Sequence, residues 1–174
     1  LANGLSGDGN AVTAAKSDYA PGDHVLYYLD TKTLPACLKA HADSVADEIA
    51  AAFREWTRAT KIAFQRTTDR TAGAAITLSF CSQTKTNEYA FDGAGGCLAK
   101  ATPTSVVFDA AEKWTLQTTP IGVAAVGDES GELFWENATF ELMPVALHEI
   151  GHVIGLGHSE SPADVMAPFY KPGR

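Results

Sequence analysis

The sequence predicts a single α+β domain, and three patterns along the chain support that prediction. Residues 40–60 and 144–155 have helical character, and five short apolar runs between residues 25 and 108 have the length of β-strands. Neither an internal repeat nor a second domain is evident, so residues 1–174 are interpreted as one domain. Residues 1–22 are rich in Gly, Ala, Asn and Asp and are expected to form an irregular N-terminal arm.

The first half of the chain is expected to combine three strands with one long helix. Residues 25–29 predict a strand that ends before Leu34-Pro35. A helix is predicted over residues 40–60, because apolar side chains recur there at spacings of three and four. That apolar face consists of Val45, Ile49, Ala52, Phe53 and Trp56. Residues 61–66 and 74–80 are expected to be the next two strands, the second of them central in a sheet.

The second half is expected to add two short strands and the second helix. A Gly-rich loop over residues 81–97 precedes strands at 98–101 and 105–108. A long connection over residues 117–138 follows, and loops of that length in a compact domain are often functional. The second helix is predicted to begin near Pro144, where proline fits the first turn, and to end at Gly155.

Composition restricts the partners. The net charge of −8 argues against binding to a nucleic-acid backbone, which requires a clustered Lys/Arg surface. The chain has no run of about 18 apolar residues, so no membrane span is predicted. It begins at Leu1 rather than Met, which favours a processed mature form or a recombinant fragment.

The chain contains three cysteines, Cys37, Cys81 and Cys97, and an odd number leaves at least one without a partner in the chain. Cys81 and Cys97 flank the Gly-rich loop and could form a disulfide. Three thiols are the equally open alternative. The cysteines lack the CxxC spacing of a thiolate zinc site.

The strongest functional signal is the pattern HExxHxxGxxH over residues 148–158. On a helix, His148 and His152 lie on one face, so both imidazoles can bind one metal ion. Gly155 allows a sharp turn after the helix, and that turn would bring His158 round as the third ligand. Three protein ligands leave a fourth position for water, which is the geometry of a catalytic zinc site.

The chemistry of this pattern assigns a role to Glu149. Zinc lowers the pKa of a bound water toward about 7, and Glu149 would act as the general base and then protonate the leaving amine. A bare HExxH motif occurs by chance in many unrelated proteins, whereas the longer pattern fixes five positions. A structural zinc site would usually have a fourth Cys or His ligand, and the sequence offers none nearby.

The elongated motif resembles the signature of the metzincin metallopeptidases, and within that clan the chain is most similar to the matrixin catalytic domain. Residues 164–168 resemble the methionine turn, with Met166 beneath the zinc. Ser159 follows the third histidine, as in matrixins, and residues 168–170 resemble the Pro-x-Tyr wall of the S1′ pocket. Residues 89–99 and 108–115 resemble the matrixin S-loop and fifth strand.

The resemblance implies the metzincin, or zincin, fold: a twisted five-stranded mixed sheet with one antiparallel edge strand, a backing helix and an active-site helix. It also implies one calcium ion, for which a Gly-rich turn with solvated acids is the alternative. The implied calcium ligands are Asp92, Gly93, Gly95, Cys97, Asp109 and Glu112. Hard oxygen ligands of this kind suit calcium. The implied substrate-binding residues are Leu98, Ala99, Pro168, Phe169 and Tyr170.

The sequence also departs from the matrixin pattern. The second, structural zinc of matrixins needs histidines and an aspartate where residues 85–87, Lys100 and Val107 stand here, so only the catalytic zinc is expected. A second calcium ion is also expected to be absent, because Ala75 and the short loop 102–105 replace its ligands. The usual C-terminal helix is expected to be absent, since the chain ends at Arg174.

Two functional hypotheses follow. The resemblance implies a secreted, extracellular zinc endopeptidase that acts as a monomer and hydrolyses extended polypeptides. An apolar residue is expected after the scissile bond, in a pocket shaped partly by Pro144 and Val145. The alternative is a catalytically inert, metzincin-like zinc-containing binding module. The intact Glu149 and the three histidines favour the enzyme.

Overall fold

A five-stranded mixed sheet forms the centre of the fold. The computed structural model describes residues 18–81, 91, 93–117, 139–161 and 163–168. The strands of this sheet are β1 (His24–Leu29), β2 (Ala63–Thr67), β3 (Ile76–Cys81), β4 (Ala99–Thr102) and β5 (Ser105–Asp109). Their spatial order is β2-β1-β3-β5-β4. All neighbours pair in parallel except β4, which runs antiparallel to β5 at the edge. The prediction of an α+β fold with one antiparallel edge strand is confirmed.

In the described part of the chain, the sheet is accompanied by two long helices and two short ones. The long helices are α2 (Ala42–Thr60) and α3 (Leu142–Val153); a 3-10 turn (Thr31–Thr33) and α1 (Ala36–Lys39) lie between β1 and α2. Among the described residues, none of these helices has both the length and the apolar character needed to cross a membrane. The helix predicted over residues 40–60 is confirmed, with its start at Ala42.

The predicted start of α3 was two residues late. A three-residue strand, Thr139–Glu141, leads directly into the helix, so Leu142 is its first residue and Pro144 its third. Proline is compatible with that position, because the first N–H groups of a helix have no intrahelical acceptor. Residues 142–144 therefore continue the strand into the helix without a separate loop.

A small second sheet was missed by the sequence analysis. It consists of β6 (Lys113–Thr115) and β7 (Thr139–Glu141), which pair in parallel with Trp114 opposite Phe140. Strands of three residues are too short to show a period-two pattern, so only their pairing reveals them. The pairing places the start of α3 beside the end of β5, because β6 follows β5 closely in the chain.

The core lies between the large sheet and the two long helices. Tyr27 of β1 stacks on Phe53 of α2 with ring centroids 3.9 Å apart, and the rings of Phe80, Phe108 and Trp114 form a second aromatic group. Burying each such side chain contributes about 1.5–3 kcal/mol. Because α2 and α3 also pack against each other, the sheet and α2 together form a rigid support for α3.

Candidate metal centre

The two histidines of the HExxH motif lie side by side on α3. His148 and His152 are four residues apart, so the helix places them one above the other on one face. Their Nε2 atoms are 3.0 Å apart, and both side chains are buried. Helical spacing alone therefore brings two potential metal ligands together.

The third histidine reaches this face through a turn after α3. Gly155 adopts φ +93°, a conformation that costs glycine little and other residues more. The Gly155 N–H donates to His152 O and the Leu156 N–H to Gly151 O, both at 2.9 Å, so the turn is tied to the last turn of the helix. One ligand atom from each of His148, His152 and His158 can be chosen such that all lie within 4.8 Å of one another.

Backbone carbonyls orient the two helical imidazoles. Nδ1 of His148 lies 2.8 Å from Val165 O, and Nδ1 of His152 lies 2.8 Å from Leu156 O. A carbonyl can only accept, so each Nδ1 carries the proton and donates it. In neutral imidazoles, the two Nε2 atoms then direct lone pairs into the space between the rings.

This donor set fits a zinc ion. Two nitrogen lone pairs 3.0 Å apart repel each other, and a cation between them removes that repulsion. Tetrahedral zinc with nitrogens at about 2.0–2.1 Å sets them roughly 3.3 Å apart, close to this spacing. Within the described part of the chain, the group contains the three histidines and no cysteine or carboxylate, so it has the composition of an open site.

Glu149 and Met166 flank the histidines. Glu149 is fully buried on α3, next to His148 in the chain. Met166 is buried in the turn that holds Val165, and Met166 O accepts a hydrogen bond of 2.7 Å from the Ser159 N–H. This bond therefore joins the segment that bears His158 to the turn in which the carbonyl of Val165 orients His148.

The family follows from comparison with known proteins. A family model described as matrixin matches residues 20–174. The chain belongs to the matrixin family.

Relatives of this matrixin come from plants and animals. Metalloendoproteinase 1 of Glycine max is 39% identical over 133 residues, which are 75% of this chain and 40% of the relative. Matrix metalloproteinase-15 of Homo sapiens is 36% identical over 132 residues, 69% of this chain and 17% of the relative. Matrix metalloproteinase-25 of Mus musculus is 33% identical over 123 residues, 67% of this chain and 17% of the relative. The matrixin thus aligns with less than half the length of each of these relatives.

The residues of the implied calcium site lie close together in this matrixin, apart from Asp92, which is outside the described residues. Gly93 and Gly95 adopt φ values of +94° and +89° and form a tight turn before Cys97. The Gly95 N–H donates to Glu112 Oε1 at 2.8 Å, although 17 positions separate the two residues. Asp109 and Glu112 are both buried, and Asp109 Oδ1 accepts from the Ala111 N–H at 2.7 Å.

The implied substrate-binding residues divide into two groups. Leu98 and Ala99 are fully buried at the start of edge strand β4, so what they offer to a ligand is backbone rather than side chain. Pro168 is half-buried just after the methionine turn, and Phe169 and Tyr170 lie outside the described residues. Pro144 and Val145 belong to the first turns of α3.

Several contacts of the matrixin site were not foreseen from the sequence. The carbonyls of Leu156 and Val165 orient the imidazoles, and the indole of Trp56 donates to the carbonyl of Leu147 in α3. Backbone carbonyls are present at every residue, so no residue type marks them. Trp56 was interpreted as part of the apolar face of its helix, and it does pack against the core, but its N–H makes this additional bond.

Proposed function

We propose that the chain is a zinc-dependent endopeptidase in which His148, His152 and His158 hold the metal and Glu149 is the general base. The observation that carries this proposal is the convergence of three imidazoles beside one buried glutamate. The carbonyls of Val165 and Leu156 support it, because outer hydrogen bonds of this kind fix the tautomer of metal-binding histidines.

The metal and the protein would have different roles in the reaction. A bound zinc ion would supply Lewis acidity and bring the pKa of a water ligand to about 7. Glu149 takes a proton from the attacking water through its carboxylate and then delivers that proton to the leaving amine. Met166 would form the floor of the site beneath the histidines, and the carbonyl of Val165 in the same turn would hold His148 in the required orientation.

The substrate is an extended polypeptide. Edge strand β4 pairs with β5 on one side, so an extended peptide can pair with its other side by β-augmentation. Leu98 and Ala99 would contribute backbone groups to that pairing. Pro168, Phe169 and Tyr170 would form the wall that receives an apolar residue after the scissile bond.

The general-base role is tested by Glu149→Gln, which keeps the shape of the side chain but removes the carboxylate. Because general-base catalysis contributes about 10²–10⁴-fold, cleavage of a fluorogenic peptide should fall by at least 10²-fold. Zinc content, measured by atomic emission, should stay near that of the wild type. Glu160→Gln, at an exposed position, is the matched control and should keep full activity. Substantial activity in Glu149→Gln would overturn the assignment.

A peptide library separates the enzyme from an inert zinc-binding module. The enzyme should cleave some library members, and a zinc chelator should abolish that cleavage. Zinc binding without cleavage of any peptide would instead support the binding module.

Calcium binding and location complete the proposal. Asp92, Gly93, Gly95, Cys97, Asp109 and Glu112 would hold one calcium ion, and the buried carboxylates beside the glycine turn support that role. The protein would act outside the cell as a monomer, in keeping with the matrix metalloproteinases among its relatives.

A further inference from the structure

Helix α2 makes a specific polar contact with α3. Trp56 Nε1–H donates to Leu147 O over 2.8 Å, between residues 91 positions apart in the chain. Leu147 lies inside α3, where its carbonyl already accepts from the N–H four residues on, and a carbonyl has two lone pairs for such a pair of bonds. Leu147 directly precedes His148, so the bond is made next to the first proposed metal ligand.

The same face of α3 is packed unusually closely one turn further on. A Cβ added to Gly151 would lie 2.3 Å from Met166 Sδ, 3.0 Å from Met166 Cε and 3.0 Å from Trp56 Cζ2. Leu147 and Gly151 are one turn apart, so the indole lies along one strip of the helix surface. Trp56 and Met166 therefore both pack against the backbone of Gly151, which lies between His148 and His152 in the chain.

We propose that Trp56 is a positioning residue that sets the rotation of α3 about its axis. The imidazole nitrogens are roughly 6 Å from that axis, so a rotation of about 10° would move them by about 1 Å. A shift of that size is enough to spoil a metal site or a reacting geometry, which can cost about 10²-fold in rate. This inference rests on the proposed zinc site, because it concerns how that site is held in place.

The contact also joins all three segments of the site. Met166 touches Gly151, its carbonyl accepts from the Ser159 N–H beside His158, and the preceding Val165 carbonyl orients His148. If α3 rotates away from Trp56, His148 and His152 move relative to both Val165 and His158. Trp56 thus acts on the geometry of the metal site without touching the metal.

The test compares two tryptophans that make the same kind of bond. Trp56→Phe removes the donor to Leu147 O, and Trp114→Phe removes a donor to Asp109 O at 2.7 Å in the aromatic core. Both variants are loaded with cobalt(II), saturated with calcium, and studied well below their unfolding midpoints. Release of cobalt to a chelator is followed by its visible absorption, and kcat and KM are measured on the zinc forms.

The expected result is specific to Trp56. Because a displacement of about 1 Å at a reacting site can cost about 10²-fold, Trp56→Phe should release cobalt at least about 10-fold faster than the wild type. Its cobalt spectrum should change. Its kcat should fall, while its KM should stay within about twofold of the wild-type value. Trp114→Phe should lose stability but stay within about twofold of the wild type in cobalt release and kcat, because its bond to Asp109 O lies outside the zinc site and the calcium site is kept saturated.

A second variant covers the case in which Trp56→Phe does not fold. A tryptophan analogue with sulfur in place of the indole N–H, inserted at position 56 alone, keeps the ring shape and removes only the donor. It should show the same faster release. Equal effects at positions 56 and 114, or a position-56 analogue that behaves as the wild type, would overturn the inference. Failure of the wild type to bind zinc or cleave peptides would instead refute the proposed function.

Discussion

At the scale of single residues, Gly151 shows how closely the site is built. It belongs to the two positions that HExxH leaves unspecified, so the motif assigns it no role. Its backbone is nevertheless the surface on which Met166 and Trp56 pack, and an added methyl group would overlap Met166 Sδ at 2.3 Å. The absence of a side chain is therefore the property that this position needs, and glycine supplies it despite its low helix propensity.

Gly151→Ala is expected to destabilise the protein. Alanine favours a helix over glycine by about 1 kcal/mol, but overpacking a buried contact typically costs about 1–3 kcal/mol and should prevail. Chemical denaturation would measure the change. The double variant Gly151→Ala/Met166→Ala should lose less stability than the sum of the two single variants, because Met166→Ala removes the clash. A stabilised Gly151→Ala variant would show that Met166 moves aside freely.

At the scale of elements, hydrogen bonds join the turn at residues 93–97 and Leu98, which follows it, to the end of β5 and the residues just after β5. Gly95 N–H donates to Glu112 Oε1, and Asp109 N–H donates to Leu98 O at 2.8 Å. These bonds place a glycine turn against two buried carboxylates. Each carboxylate accepts a backbone hydrogen bond, but two negative charges buried in the same region still repel each other, and a calcium ion bound by both would remove that repulsion.

Calcium should stabilise this element in a way that depends on Glu112. Saturation at about 100 times the dissociation constant adds about 2.7 kcal/mol, so the wild type should unfold at a higher temperature with calcium than with a calcium chelator. Glu112→Gln should lose that difference, although its amide oxygen can still accept from Gly95. Glu55→Gln, on the exposed surface of α2, should respond as the wild type does. A normal response of Glu112→Gln would refute the calcium assignment.

At the scale of the whole molecule, the large sheet and α2 provide a frame that contains none of the three histidines proposed to hold zinc. The core of β1, β3, β5 and α2 is apolar and fully buried, and α3 packs against it along its length. In the part of the chain that the structure describes, the three histidines are the sole cluster of three or more His, Cys, Asp or Glu side chains whose ligand atoms lie close enough to hold one metal ion. Residues 85–87, where matrixins place structural zinc ligands, lie outside that part.

Metal analysis should find about one zinc ion per chain, because one open three-histidine site is expected. His152→Ala should reduce the zinc content to near zero and leave the far-ultraviolet circular dichroism largely unchanged, since the core does not use the metal. A ratio near two zinc ions per chain would contradict the expectation that the structural zinc is missing. Retention of zinc by His152→Ala would contradict the ligand assignment.

The sequence by itself determined the parts of this matrixin that depend on local periodicity. Spacings of three and four predicted α2, the short apolar runs predicted all five strands of the large sheet, and the i, i+4 spacing put His148 and His152 on one face. Gly155 indicated the turn that carries His158, because glycine adopts positive φ at little cost. These features are encoded by residue type at short range.

Only the tertiary structure decided the contacts between distant segments. The pairing of β6 with β7, the carbonyls of Val165 and Leu156 that orient the imidazoles, and the bond from Trp56 to Leu147 have no local signature. Each uses backbone groups that every residue possesses, or joins positions far apart in the chain. The sequence therefore names the metal-binding residues, while long-range packing and backbone acceptors determine how accurately they are held.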